Sequence, residues 1–364
     1  RVASAGPERM RIGLVAPPFE RVPPVAYGGT ERIVHALAVE LDRRGHEVTV
    51  FASGDSVVPG RLVPTVSTPV RESGAAGIHA IPWLVTTLMT VMDGADGLDL
   101  IHSHLDWAGL TLGHHSSVPV VATIHGRVDV PGSRGLLAAS RCHHVAISAS
   151  QAATHATGTW AAVVHNGLDL TGSPVGRDRS DDLCFVGRLM PEKGIMEAIA
   201  AARLAGRHLR IAAKVGTQPA EVDYYESVVR PAIATADAEH LGELSSEERD
   251  RLYAECHATL MPGNWPEPFG LVAIESLACG TPVVARRVGA LPEIIREGID
   301  GYFGDDPQEL AFHVADVDRL DRAAIRSSVL ERFSAARMAD GYLDVYRRVI
   351  GDRLDDQRTR AKEH

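Results

Sequence analysis

Short apolar runs alternate along the chain with longer segments in which apolar residues recur every three or four positions. Residues 11–17 (RIGLVAP) read as a buried strand, followed by a Pro/Gly-rich loop. From 30 to 44, Ile33, Val34, Leu37, Ala38 and Leu41 share one helical face; Thr30 is placed to cap it and Gly45 to stop it. Glu31 then reads as a surface residue of that helix. Further strands are expected at 47–52, 99–103, 118–123 and 144–147. A second series follows a polar Gly/Pro/Ser-rich segment at 171–182. It predicts strands at 183–186, 208–213, around Leu241, 257–261 and 282–285, with helices at 193–204, 219–233, 245–255 and 269–279. Such alternation predicts an α/β protein with parallel sheets covered by helices on both faces.

A chain of 364 residues exceeds one ordinary core, so two doubly wound domains are expected, spanning 10–170 and 171–333 after a tail at 1–9. Ligands of such sheets bind at the carboxyl ends of the strands. Composition narrows the partners. Hydrophobic residues make up 45% and charged residues 23%, which fits a globular chain. A net charge of −10 argues against nucleic acid and against adhesion to an anionic membrane. No apolar run reaches the roughly 20 residues of a membrane span. The opening residues lack a signal-peptide core, so the expected compartment is the cytoplasm. Four cysteines without CxxC spacing indicate neither zinc nor a disulfide framework. The 17 histidines include His102 and His104 on one strand face, but no HExxH, and read as strand ends or surface positions rather than metal ligands. No P-loop or G-x-S-x-G elbow is present, which removes support for ATP chemistry and nucleophilic hydrolysis.

Three clusters carry chemistry. In 265–275 (WPEPFGLVAIE), Pro266 and Pro268 hold the chain extended before a helix expected to start near Phe269. Glu267 sits in that loop, the amides of Phe269, Gly270 and Leu271 face the same space, and Glu275 follows one to two turns later. Two carboxylates around a helix start suit a ligand with both hydroxyls and phosphate. In 185–194 (FVGRLMPEKG), Arg188 and Lys193 bracket a strand-end turn where two cations can neutralise a diphosphate. Only three of the 37 basic residues are lysines, so Lys193 is unlike the arginine-built surface; Lys214 ends the next strand and is a further candidate. In the first half, Gly28 and Gly29 of YGGTER follow the first strand, and His125 follows an apolar strand in VVATIHG. Asn166, Gly167 and Asp169 (HNGLD) sit near the expected domain crossing.

Glu267 and Glu275, with seven residues between them and set in PEPFGLVAIESLACGTPVVA, resemble the E-x7-E motif of retaining GT-B glycosyltransferases of family four. The GR-x4-KG pattern at Arg188 and Lys193 is similar to that family's as well, as are TIHG at His125 and NG-x-D at 166–169. The resemblance runs from about 11 to 346. It implies two Rossmann-like domains facing a central cleft, with C-terminal helices at 334–361 returning to the first domain. It also implies a donor nucleotide sugar, UDP-linked on family frequency, a hydroxyl acceptor, and no divalent metal or other cofactor. Glu267 and His125 would then contact the transferred sugar, and Glu275 the ribose. Arg188 and Lys193 would hold the phosphates, supported by Phe269, Gly270, Leu271, Gly28, Gly29 and Lys214. Asn166, Gly167 and Asp169 would form hinge and cleft wall. Residues 1–172 contain no lysine, and the apolar stretch 78–92 has no basic flank, which favours a soluble small-molecule or saccharide acceptor over a phospholipid. A nucleotide-sugar 2-epimerase and a non-catalytic nucleotide-sugar binder share the same fold and are the alternatives.

Overall fold

The apolar run at the start of the chain becomes the central strand of a parallel sheet. The computed structural model describes residues 9–25, 28–74, 77–156, 158–176, 179–216 and 218–362, with side chains through 353. Tyr27 and most of the expected tail lie outside the described residues. Two units result: one from the chain up to Leu168 together with Ala335 onward, the other Asp169–Ser334.

In the first unit seven strands lie in the order β3-β2-β1-β4-β5-β6-β7, all parallel. They are β1 (Arg11–Val15), β2 (Glu47–Ser53), β3 (Arg61–Val66), β4 (Leu100–Ser103), β5 (Val120–Thr123), β6 (His143–Ala146) and β7 (Ala162–Val163). Ile12 pairs with Val48 on one side and Leu100 on the other, and all three are buried because helices cover both faces. The helix Gly29–Arg43 buries Ile33, Val34, Leu37 and Leu41, each worth about 1.5–3 kcal/mol of apolar transfer. It begins one residue earlier than the pattern predicts. Gly28 is its N-cap without a side-chain cap, so Thr30 lies inside the first turn rather than capping it.

The last helix, Ala335–Lys362, belongs to this unit. Arg44 Nη1 pairs with Asp340 at 2.5 Å and Arg44 Nη2 donates to the Ala336 carbonyl at 2.8 Å. Tyr342 and Tyr346 on the same helix are fully buried. By contrast, the helix Ile81–Asp93 leaves Ile81, Trp83, Val85 and Met89 exposed and buries only Thr87 and Val91.

The second unit repeats the pattern with six parallel strands, β10-β9-β8-β11-β12-β13. These are β8 (Leu183–Arg188), β9 (Leu209–Lys214), β10 (Ala238–Gly242), β11 (Ala258–Met261), β12 (Val283–Ala285) and β13 (Gly301–Phe303). Leu183, Phe185, Ile211 and Leu260 form its core with Ile195 and Ile199 of the helix Ile195–Ala205. The single helix expected over 219–233 is interrupted. It runs as Pro219–Tyr224, a π-turn Tyr225–Val229, then Arg230–Thr235. Pro231 has no N–H to donate to the preceding turn, which accounts for the bulge. In each sheet the direction of winding reverses once, between β1 and β4 and between β8 and β11. Those reversals open crevices at the carboxyl ends of the strands.

Candidate active site

At the β8/β11 reversal the second unit brings together the residues that the sequence singles out. Arg188 is the last residue of β8 and pairs in register with Lys214, the last of β9. After Arg188 the chain makes a 3-10 turn, Pro191–Lys193, and Gly194 enters the helix Ile195–Ala205 with φ 78°. A Cβ on Gly194 would meet the backbone nitrogen of Gly263 at 2.7 Å, so the turn after β8 and the loop after β11 touch through main chain. The Trp265 N–H donates to the Glu192 carbonyl at 3.3 Å across the same seam.

That seam sets the central contact. Lys193 Nζ forms an ion pair with Glu267 Oε1, both side chains about one-fifth exposed, and Lys193 lies 5.7 Å from the centroid of the Trp265 ring. Glu267 is itself clamped from behind. Its carbonyl accepts the Ala290 N–H at 2.9 Å, and Gly289, at φ 56°, leaves only 2.4 Å between an imagined Cβ and the Glu267 nitrogen. Arg188 is partly buried, and its guanidinium has no hydrogen-bond or ion-pair partner among the described residues. Lys214 instead pairs with Glu243 at 3.1 Å.

The helix after Glu267 is Leu271–Ala278, with Gly270 as N-cap at φ 108°. It therefore starts two residues later than the pattern predicts, and the free amides of its first turn begin at Leu271 rather than Phe269. The reason is packing: the Phe269 ring is 3% exposed and meets Phe333 edge-on at 5.8 Å. Glu275 lies inside this helix and is buried, with Arg249 Nε at 3.1 Å and the Tyr253 hydroxyl donating to it at 3.3 Å. Burial pushes the Tyr253 hydroxyl up, and the Glu275 charge adds to the effect.

In the first unit the β1/β4 reversal places Gly28 and Gly29 after β1 and His104 after β4. His125 follows β5. Its Nε2 shares a 2.8 Å hydrogen bond with His104 Nδ1, and its backbone N–H donates to Asp106 Oδ1 at 2.6 Å. Burial lowers the His125 imidazole to about 4, so the ring is neutral near pH 7. His104 and His102 are also held well below their usual value, first by burial and then by neighbouring imidazoles. His102 is anchored on both nitrogens, to Tyr346 Oη at 2.7 Å and Thr123 Oγ1 at 2.7 Å, and Thr123 Oγ1 meets the Tyr342 hydroxyl at 3.0 Å. His102 and His104 do lie at the end of β4, as expected, and they are buried there in a polar chain rather than exposed. His104 was missed as a partner of His125 because the strand ends at Ser103, which frees the next ring to turn.

Glu31 departs from its expected surface position. Its carboxyl is 5% exposed rather than on the surface, and Oε2 lies 3.1 Å from where a Gly28 Cβ would stand. Burial raises it to about 7, assisted by the Glu20 and Asp106 charges and opposed by its own backbone N–H and Arg71. Asp106 has φ 46°, a left-handed conformation uncommon for a side chain other than glycine, and its carboxyl is raised by burial against the amides of His125 and Gly126. The remaining candidates lie near the junction between the units. Asn166 is buried, the Gly167 N–H points to Met338 Sδ at 3.2 Å, and Asp169 Oδ1 accepts the Thr171 hydroxyl at 2.6 Å. Among the described residues no cluster of three His, Cys, Asp or Glu side chains is placed to hold a metal ion, and no helix is long and apolar enough to cross a membrane.

Two family models match the chain. "Glycosyltransferase Family 4" covers residues 27–171 and "Glycosyl transferases group 1" covers 174–321. Glycogen synthase of Mycobacterium tuberculosis is 28% identical over 344 residues, 80% of this chain and 81% of the relative. D-inositol 3-phosphate glycosyltransferase of Mycolicibacterium smegmatis is 28% identical over 382 residues, 89% of this chain and 87% of the relative. Among solved structures, AviGT4, a glycosyltransferase involved in avilamycin A biosynthesis, superposes with a TM-score of 0.68 at 26% identity, covering 94% of this chain and 98% of that one. Sucrose-phosphate synthase from Thermosynechococcus elongatus shares the fold with a TM-score of 0.74 at 20% identity, covering 94% and 100%.

Proposed function

The chain belongs to the GT-B glycosyltransferases, and we propose that it moves a sugar from a nucleotide sugar to a hydroxyl of a soluble small-molecule or saccharide acceptor, with retention of anomeric configuration. The observation that carries this reading is the Lys193–Glu267 pair at the β8/β11 reversal, beside Arg188, which has no partner among the described residues, and the helix start at Leu271. Donor entry places the diphosphate against Arg188, Lys193 and the first-turn amides, and releases Glu267 to accept hydrogen bonds from the sugar hydroxyls. The family resemblance assigns His125 of the first unit a hydrogen bond to the transferred sugar. Glu275, already braced by Arg249 and Tyr253, is assigned to the ribose. UDP is taken as the nucleotide from the family resemblance.

In the proposed step the bond between the anomeric carbon and the leaving phosphate oxygen breaks while the acceptor oxygen bonds from the same face. The acceptor's proton passes to the departing phosphate oxygen. Charge growing on that diphosphate is met by Arg188, Lys193 and the helix amides, and each such donor is worth on the order of 3 kcal/mol in the transition state. Side chains and amides suffice for this, so no divalent metal is assigned. The acceptor assignment draws on residues 77–93, whose exposed apolar helix contains neither Lys nor Arg to engage a phospholipid headgroup.

A thermal-shift panel of UDP, GDP and ADP sugars, followed by transfer assays, tests the reading. The matching donor raises the melting temperature. Glu267→Ala keeps that shift and loses transfer. An unchanged transfer rate in Glu267→Ala refutes the assignment.

A further inference from the structure

The two faces of the His125 ring pair are unlike. His125 is partly buried, and its Nδ1 has no hydrogen-bond partner among the described residues. His104 is 1% exposed; its Nδ1 meets His125 Nε2 at 2.8 Å, while its own Nε2 is buried with no partner among the described residues. Two neutral imidazoles joined in this way have two arrangements. If His125 Nε2 carries the hydrogen, His104 must carry its own on the buried Nε2, where the N–H has no acceptor. Orphaned buried N–H donors are rarer than under-satisfied acceptors. If His104 carries its hydrogen on Nδ1, that hydrogen is used at once in the 2.8 Å bond, and only a bare nitrogen stays unpaired.

We propose that His104 is a positioning residue that donates from Nδ1 to His125 Nε2 and so fixes His125 as the Nδ1–H tautomer. His125 then presents a hydrogen-bond donor, not a base, to an oxygen of the substrate. This rests on the glycosyltransferase reading only in naming that substrate a sugar. The ring is held at one edge by His104 and its backbone by Asp106, whose carboxylate accepts the His125 N–H at 2.6 Å. The two rings lie with centroids 5.1 Å apart and planes 25° apart, which holds their relative orientation. Burial lowers both imidazoles, so neither ring takes up a second proton near neutral pH to blur the assignment.

Histidine-selective 15N labelling and long-range 1H–15N correlation spectra of the whole chain read the tautomer directly, with the His125 signals identified by their loss in His125→Gln. The wild type should show His125 protonated at Nδ1. His104→Leu should give a mixture of tautomers and lower kcat by roughly tenfold or more, with the KM for the nucleotide sugar unchanged. His104→Asn, whose amide N–H reaches about where Nδ1–H does, should restore the single tautomer and most of kcat. A wild-type His125 protonated at Nε2 overturns the proposal, as does an unaltered tautomer in a folded His104→Leu protein. If no donor supports transfer, the glycosyltransferase reading fails while the spectra still decide the tautomer. Should His104→Leu not fold, the wild-type and His104→Asn spectra carry the test: the Nδ1–H form in both supports it, and the Nε2–H form in either refutes it.

Discussion

The carboxyl of Glu31 gives the first unit a built-in dependence of stability on pH. Its folded value of about 7 stands above the ordinary 4.5, because burial disfavours the charged form. The sign follows from which state binds the proton more tightly. Below about pH 4.5 the group is protonated folded and unfolded, and nothing is lost. As pH rises toward 7, the unfolded chain releases its proton freely while the folded chain must keep it or bury a charge, so stability falls. Above pH 7 the full difference is reached, roughly 3 kcal/mol at 1.4 kcal/mol per pH unit. Glu31→Gln keeps the shape and removes the titration. It should match the wild type near pH 4.5 and exceed it by as much as roughly 3 kcal/mol at pH 8. Urea denaturation followed by fluorescence suits the comparison, since Trp83, Trp107 and Trp160 all lie in the first unit. Parallel curves for the two proteins from pH 4.5 to 8 would refute the reasoning, because a carboxyl in contact with water in the folded state gains nothing from neutralisation.

Two further perturbations probe the second unit. Gly289→Ala adds a Cβ 2.4 Å from the Glu267 nitrogen at a backbone φ of 56°; it should cost about 2 kcal/mol or more in denaturation experiments and lower kcat, although no functional group is removed. An unchanged melting temperature would show that the Glu267 loop is not held from behind. Arg249→Met leaves the buried Glu275 carboxylate without its cation and should destabilise the unit by about 3–5 kcal/mol; Arg249→Met combined with Glu275→Gln should recover much of that loss, which a double-mutant cycle measures.

The architecture was legible because parallel sheets covered on both faces demand near-continuous apolar runs, which β1 and β8 have and which β2 and β11 keep apart from a threonine in each. Strands at the margins were not. β3 contains Pro64 and begins at an exposed arginine, β7 is two residues long and β13 three, too short for a period to register. At the site, the residue types around Lys193 and Glu267 pointed to one place, and their spacing survives in the fold as a direct contact. The exact helix start did not, because the burial of Phe269 on Phe333 depends on a partner 64 positions away. The burial of Glu31 and the contact between His104 and His125 were not legible for the same reason. A charged residue in a helix and a histidine at a strand end look solvated until the neighbouring elements close over them.

The sheet of the first unit is assembled from residues before Leu168, yet its buried His102–Thr123 chain is capped by Tyr342 and Tyr346. On the ribosome, therefore, the order of completion inverts the order of synthesis. The segment Asp169–Ser334 is contiguous and has every strand it needs as soon as it emerges, whereas the earlier-made half waits, with polar hydroxyl and imidazole groups open to water, for the closing helix. A chain released just short of residue 340 would carry a finished second half and an unsealed first.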